Sequence, residues 1–522
     1  MTGTSGFDLI LRHGTVMDGT GSAAVVTDIG IRDGRIAAIG DLDAATAELE
    51  RDVTGRVVSP GFIDVHAHTD QAPFLADGND HIKLASIRQG VTTEVPGNCG
   101  FCPFPVAAAP EASDPPTNHF RGFTTLAGYR AALAEIPLAV NLAPLAGHHS
   151  LRGTVVGYDD RAPTAEELGE MRRLLRGAMD DGAFGFSTGL VYAPGRFATT
   201  EEVAELAREA AHAGRPYVTH MRDEADEVDV AVAEALQIGR TSGAAVQISH
   251  HKVALEHNWG RSEITLAMIE AARGGGQDVT IDVYPYTAGS TGLVNVLPVA
   301  ALEGGPDAIR ERLQDGEARR RLAEELSGGP RYRSGWSDIV LASADGHEDE
   351  QGRSIAEIVA ATGRDPVDYV CDVLLDDPWA IMLAHGMDPD EVATIGSRPY
   401  AMVGSDGIPM PGHQHPRISG TFARVLGAAA RDRDGRDLPD LIRRMTSLPA
   451  QKFAIPDRGV LARGKVADVV VFDPATVADR ATYEDPWQPP VGIELVLLAG
   501  TAVVLDGRDT GHAGGRVLEP AS

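Results

Sequence analysis

Val57-Val58-Ser59-Pro60-Gly61-Phe62-Ile63-Asp64-Val65-His66-Ala67-His68 decides the fold. An apolar, β-type run ends here on two histidines separated by one alanine. In a strand, residues i and i+2 face the same side, so His66 and His68 are expected to reach one metal ion together. Imidazole is a common ligand of zinc and similar divalent metals. The remaining ligands should then stand at the ends of other strands.

Downstream, short apolar strands alternate with helical patterns, which predicts a parallel sheet with crossover helices. Eight strands are expected, at 61–65, 91–95, 139–142, 183–186, 216–219, 245–249, 278–283 and 401–404. Helical stretches at 164–179 and 200–212 lie between them, and Thr200-Glu201-Glu202 reads as a cap followed by first-turn acids. Eight units favour a closed (β/α)8 TIM-like barrel over an open doubly wound sheet. A long insertion at about 287–400 separates the seventh and eighth strands, and insertions of this kind often act as lids.

Both ends of the chain read differently. Before residue 57 come short β segments with an Asp33-Gly34 turn, and Ala467–Phe472 and Glu494–Leu498 repeat that style near the C-terminus. We therefore expect α/β architecture with a small composite β domain built from 1–57 and 451–522 around a barrel at 58–450.

The bulk numbers narrow the partners. Acidic residues outnumber basic ones by 75 to 46, giving a formal charge of -29, so nothing would neutralise nucleic-acid phosphates. Three cysteines, Cys99, Cys102 and Cys371, make no disulfide framework and suggest a reducing compartment. Neither a signal peptide nor a membrane span is legible, so a cytoplasmic protein with no membrane partner is expected. Oligomeric state is not legible in the sequence.

Chemistry gathers where a barrel places it, at the C-terminal ends of strands. His66 and His68 end the first, Cys99 follows the second in Pro96-Gly97-Asn98-Cys99-Gly100, and His220 ends the fifth. His250 ends the sixth, and Asp406 ends the eighth in Gly404-Ser405-Asp406-Gly407. Each residue alone has a bland explanation as packing, surface or turn. Coincidence at five strand ends does not, and the set predicts a metal-dependent hydrolase. Cys102 is expected to pack, and His251 to point away from His250.

These residues make the chain recognisable. It resembles the amidohydrolase superfamily and, within it, the N-acyl-D-amino-acid deacylases (D-aminoacylases). The likeness runs through Pro60–His68 and Asp70, Gly97-Asn98-Cys99-Gly100, Gly185–Tyr192, Ser249-His250-His251-Lys252, Asp282–Tyr286, Gly404–Gly407 and His415-Pro416-Arg417. The His-x-His pair marks only the superfamily; Gly-Asn-Cys-Gly with Ser-His-His-Lys is more specific. In the wider superfamily a fourth-strand lysine or glutamate often bridges two metals. None of the four lysines here, Lys83, Lys252, Lys452 and Lys465, falls on that strand, which leaves Cys99 as the anionic replacement.

The resemblance implies a tight zinc site from Cys99, His220 and His250, and a weaker second site from His66, His68 and Asp406. It implies hydrolysis of the amide of a small N-acyl-D-amino acid, with Asp406 as general base and then acid. It assigns the substrate carboxylate to Lys252, Tyr284 and Arg417; a guanidinium can grip a carboxylate through two hydrogen bonds. His148 and His149 could line the pocket. Two other readings stand beside this one: a cyclic-amide hydrolase of the hydantoinase or dihydroorotase type, and a barrel that has lost catalysis and serves as a scaffold. The side chain and acyl group accepted are not legible in the sequence.

Overall fold

The computed structural model describes residues 6–106, 121–330, 335–432 and 438–521. At its centre eight parallel strand positions follow one another round a barrel: Phe62–Asp64, Val91–Glu94, a broken third position at Asn141–Leu142 and Ala146–Gly147, then Phe186–Gly189, Tyr217–His220, Val246–Ile248, Val279–Val283 and Ala401–Val403. The broken third position bridges its neighbours. Ala143 N donates to Glu94 O on one side at 2.8 Å, and Ala146 N donates to Gly185 O at 2.9 Å on the other. The first and eighth strands meet at the C-terminal mouth, where Asp406 N donates to His66 O at 2.7 Å and Ala67 bridges Gly407. The architecture is thus the α/β barrel that the strand-helix alternation implies.

Details depart from the sequence pattern for local reasons. The fourth strand is Phe186–Gly189, later than the apolar run at 183–186. Its polar residues are buried because they bond sideways, Thr188 Oγ1 lying 3.0 Å from the Tyr217 hydroxyl and 2.9 Å from Thr219 Oγ1. The helix Thr200–His212 is capped by Thr199, whose hydroxyl accepts from Glu202 N at 3.2 Å, so Thr200 is its first helical residue. Glu202 does not reach back to close a capping box. Its carboxylate instead meets His148 Nε2 at 3.0 Å and Arg152 Nη1 at 2.7 Å, and both partners' side chains are fully buried.

Strands from the two ends of the chain share one sheet. Val57–Pro60 lies between Phe7–Val16, which it pairs in parallel, and Val469–Phe472, which it pairs antiparallel. Ile493–Leu498 and Thr501–Leu505 extend the sheet on one side, Val25–Arg32 and Arg35–Gly40 on the other. Ile29, Val58, Val469 and Leu495 are in its apolar core. Two residues beyond Pro60 the chain enters the first barrel strand, so this sheet fixes where that strand starts.

The insertion forms a third body. Ala288–Gly292, Ile381–His385 and Ile339–Ser343 make an antiparallel sheet backed by helices such as Pro366–Asp376, around a core including Leu341, Ile355 and Val370. Both Ala288–Gly292 and Ile381–His385 lend residues to the wall of the cavity over the barrel mouth. Among the described residues, no helix is long and apolar enough to cross a membrane.

Candidate metal centre

Six side chains from five strand ends converge at the mouth. Cys99 Sγ is the hub, 3.4 Å from His66 Nε2, 3.5 Å from His220 Nδ1 and 3.6 Å from His250 Nε2. Two overlapping donor sets result, Cys99-His220-His250 and His66-His68-Cys99-Asp406, each with its ligand atoms within 4.8 Å of one another. His66 and His68 stand just past the end of Phe62–Asp64, in the segment that bridges Gly407, and their rings are 5.4 Å apart. Asp406 Oδ1 lies 3.1 Å from His68 Nε2 and 3.4 Å from His66 Nε2.

Three of the donor residues sit on strained backbone. Cys99, His250 and Asp406 all have positive φ, at 54°, 33° and 52°. A left-handed conformation costs an L-residue roughly 1–2 kcal/mol, and such strain gathers at functional sites. Tight glycines surround the cysteine. Gly97 has φ 87°, and a Cβ there would lie 2.6 Å from Leu145 O.

Neighbouring charges set the ionisation of the donors. Burial pushes the Cys99 thiol up, but the imidazoles of His66, His220 and His250 outweigh it and hold Cys99 well below the usual thiol range. Burial likewise opposes ionisation of Asp406, yet Arg417, His66 and His250 keep it well below the ordinary carboxylate range. His68, despite burial, is raised to about 9 by Asp406 and Cys99.

The donor set fits zinc. Sulfur at ~2.3 Å and nitrogen at ~2.05 Å from one tetrahedral ion stand ~3.6 Å apart. The two imidazole nitrogens paired with Cys99 Sγ in the three-residue set stand at 3.5 and 3.6 Å. Three protein ligands also leave the fourth coordination position free, which is the arrangement of catalytic rather than structural zinc sites.

An outer layer, not singled out in the sequence, orients the ligands. Glu224 places Oε1 2.9 Å from His250 Nδ1 and Oε2 3.5 Å from His220 Nε2, the ring nitrogens turned away from Cys99. It also accepts from Lys252 Nζ at 2.7 Å. Asp282, fully buried at the seventh strand, lies 3.3 Å from His66 Nδ1 and accepts from His250 N at 2.8 Å. Asp64 accepts from the backbone of both His66 and Ser405, at 3.1 and 2.9 Å, tying the first strand to the eighth. Nothing in the sequence marks Glu224 among 75 acids, whereas an aspartate inside the apolar Val279–Val283 run was a usable signal for Asp282.

A cavity of about 460 Å³ opens from the centre, walled by the barrel mouth and the insertion. Lys252 and Tyr284 reach its wall. The Tyr284 hydroxyl is buried without a hydrogen-bond partner among the described residues. Arg417 is not on the wall. It is 1% exposed, stacks over the Tyr284 ring at 4.6 Å, and sets Nη1 2.8 Å from Asp406 Oδ2. That contact is an ion pair without hydrogen-bond alignment, so Nε and Nη1 of Arg417 remain without an acceptor. His148 and His149 do not line the cavity: His148 holds Glu202, and His149 stacks beneath Phe101 at 4.4 Å, leaving Phe101 to form the wall. His251 turns outward to Thr265 Oγ1 at 2.9 Å, and Cys102 packs against Phe104 and Ser150.

The family profile of the amidohydrolases matches residues 50–504. The chain belongs to the amidohydrolase family. This amidohydrolase is 40% identical to an N-acyl-D-glutamate deacylase of Alcaligenes xylosoxydans xylosoxydans, over 98% of this chain and 96% of that one. It is also 40% identical to a D-aminoacylase of the same organism, over 98% and 97% of the two chains. Among solved structures it resembles the N-acyl-D-glutamate deacylase of Bordetella bronchiseptica, complexed with zinc and a phosphonate that mimics the tetrahedral intermediate. That likeness has a TM-score of 0.82 and 38% identity, covering 99% of this chain and 100% of the other.

Proposed function

We propose that this amidohydrolase is a zinc-dependent N-acyl-D-amino-acid deacylase, releasing a carboxylic acid and a free D-amino acid. The observation that carries the reading is the thiol-centred donor set, with Cys99 at tetrahedral spacing from His220 and His250 and Asp406 beside it. A zinc ion held there would supply Lewis acidity and lower the pKa of its water from about 15.7 towards 7.

The chain's own residues do the rest. Asp406 is ionised at neutral pH, since Arg417, His66 and His250 offset its burial. Standing within the His66-His68-Cys99-Asp406 set and beside the other, it accepts the proton of the attacking water. The same carboxyl then hands the proton to the departing amine nitrogen, without which the C–N bond would not break readily. His66 and His68 hold Asp406 in place and, with it and Cys99, form the second and weaker donor set. The substrate carboxylate meets Lys252 and the unpartnered hydroxyl of Tyr284 at the wall, with Arg417 adding its positive charge from behind the Tyr284 ring. A carboxylate at this point satisfies a hydroxyl that is otherwise buried and unpaired, a condition that costs roughly 1–3 kcal/mol per group.

The test is release of acid from paired N-acetyl-D- and N-acetyl-L-amino acids, with zinc quantified in the same preparation. Turnover of the D series with about one zinc per chain is expected. Hydrolysis of hydantoin in preference to any N-acyl amino acid, or full zinc with no turnover, overturns the reading.

A further inference from the structure

Relatedness alone does not choose the substrate's side chain; the charges on the cavity wall do. We propose, building on the deacylase reading above, that this enzyme prefers N-acyl-D-amino acids with uncharged apolar side chains. In the same proposal, carboxylates at the mouth, Asp345 and Asp377, turn away N-acyl-D-glutamate and N-acyl-D-aspartate.

A substrate with an acidic side chain carries two carboxylates into the cavity. The wall offers one lysine or arginine side chain among the described residues, Lys252, and it is already engaged with Glu224 at 2.7 Å. If Lys252 serves the α-carboxylate, the second carboxylate finds no further lysine or arginine on the described wall. The wall carries five acidic residues instead, Asp70, Glu224, Asp345, Asp377 and Asp406. Burying an unpaired carboxylate is costly, and adding like charges around it makes it more so.

Two of those acids stand away from the metal centre, on the insertion. Asp377 is half-buried, and its carboxylate accepts from the backbone of Asp345 at 3.0 Å and of Trp379 at 2.8 Å. These two backbone donors hold its carboxylate in place. Asp345 is exposed beside it, and Trp379, 54% exposed, flanks the same opening. The same wall carries the apolar side chains of Phe101, Val294, Met382, Met387 and Met410. Methionine adapts its shape, so such a wall accepts apolar side chains of several sizes. Specificity here is achieved by penalising the wrong ligand as much as by fitting the right one.

The experiment compares kcat/KM for N-acetyl-D-methionine and N-acetyl-D-glutamate on the zinc-loaded full chain. A ratio of at least ~10 in favour of methionine is expected. Asp345→Lys should lower that ratio several-fold, and added salt should narrow it in the unmodified protein, because repulsion across a solvated mouth is screened. The salt series needs no variant, so it decides the matter even if Asp345→Lys folds poorly. A ratio near or below one overturns the proposal while leaving the deacylase reading intact. A large ratio that neither salt nor Asp345→Lys moves overturns the role of the mouth carboxylates. Hydrolysis of neither substrate overturns the deacylase reading, and this proposal with it.

Discussion

Replacing Glu224 by glutamine asks whether an outer carboxylate governs the metal. Glu224 lies 2.9 Å from His250 Nδ1 and 3.5 Å from His220 Nε2 while those rings turn their other nitrogens to Cys99. A carboxylate so placed fixes the tautomer and tilt of each ring and makes it a stronger donor. Loss of one such partner typically weakens metal affinity 10–100-fold, or roughly 1.4–2.7 kcal/mol. Because Glu224 serves two ligands at once, the upper end of that range is expected. The substitution also strips Lys252 of its carboxylate partner, leaving a cation that is only 8% exposed and 2.7 Å from His250 Nδ1. Breaking a buried pair in this way costs about 3–5 kcal/mol when nothing replaces the missing charge, so the melting temperature should fall as well. Competition against a chromophoric chelator gives zinc affinity, and calorimetry gives stability. A companion double variant, Glu224→Gln with Lys252→Met, should recover much of the stability but none of the zinc affinity. Unchanged zinc affinity in Glu224→Gln would refute the orienting role outright.

Asp406→Asn should cut turnover by roughly 10²–10⁴-fold while Cys99, His220 and His250 still retain zinc; acid release and metal analysis on one sample check this, and substantial residual turnover rejects the proton role. Arg417→Ala is expected to raise KM without altering zinc content, and an unaltered KM or lost metal counts against a carboxylate contact. Glu202 provides a pH test away from the centre. His148 and Arg152 outweigh its burial and hold its pKa below the ordinary 4.5, so its contribution to stability is present above that pH and is lost as pH falls through the folded value. Glu202→Gln should therefore be destabilised by ~3 kcal/mol near neutrality, with melting curves of the two proteins drawing together below pH 4.5; a gap constant with pH would remove the ionic explanation.

What could be read from the sequence followed the periodicities that carry most information. The strand-helix alternation and the candidate metal donors at five strand ends were legible because a closed parallel barrel brings those residues to one mouth. The position of Arg417 was not. Its place in the sequence reads as surface, and only the resemblance assigns it to the substrate carboxylate; packing buries it behind Asp406. Glu224 was invisible for a related reason: its importance comes from three partners brought together by the fold, at 220, 250 and 252, and not from any motif of its own. The fourth strand shifted because buried serine and threonine can satisfy one another across strands, which apolar counting overlooks. Likewise Thr199 rather than Thr200 caps its helix, a choice made by backbone conformation between two chemically identical candidates.

The pairing of Val57–Pro60 with Val469–Phe472 gives the protein a timetable. A ribosome adding ~5–20 residues per second needs on the order of 20–80 s to travel from one partner to the other. Throughout that interval the early strand has an unclaimed edge, the feature by which nascent β segments stick to each other. His66 lies six residues past Pro60, so the first segment of candidate metal donors gains the second of its two flanking strands only when the tail has emerged. Slower growth at low temperature, with zinc present late in synthesis, should therefore favour the yield of active enzyme more than stronger expression does.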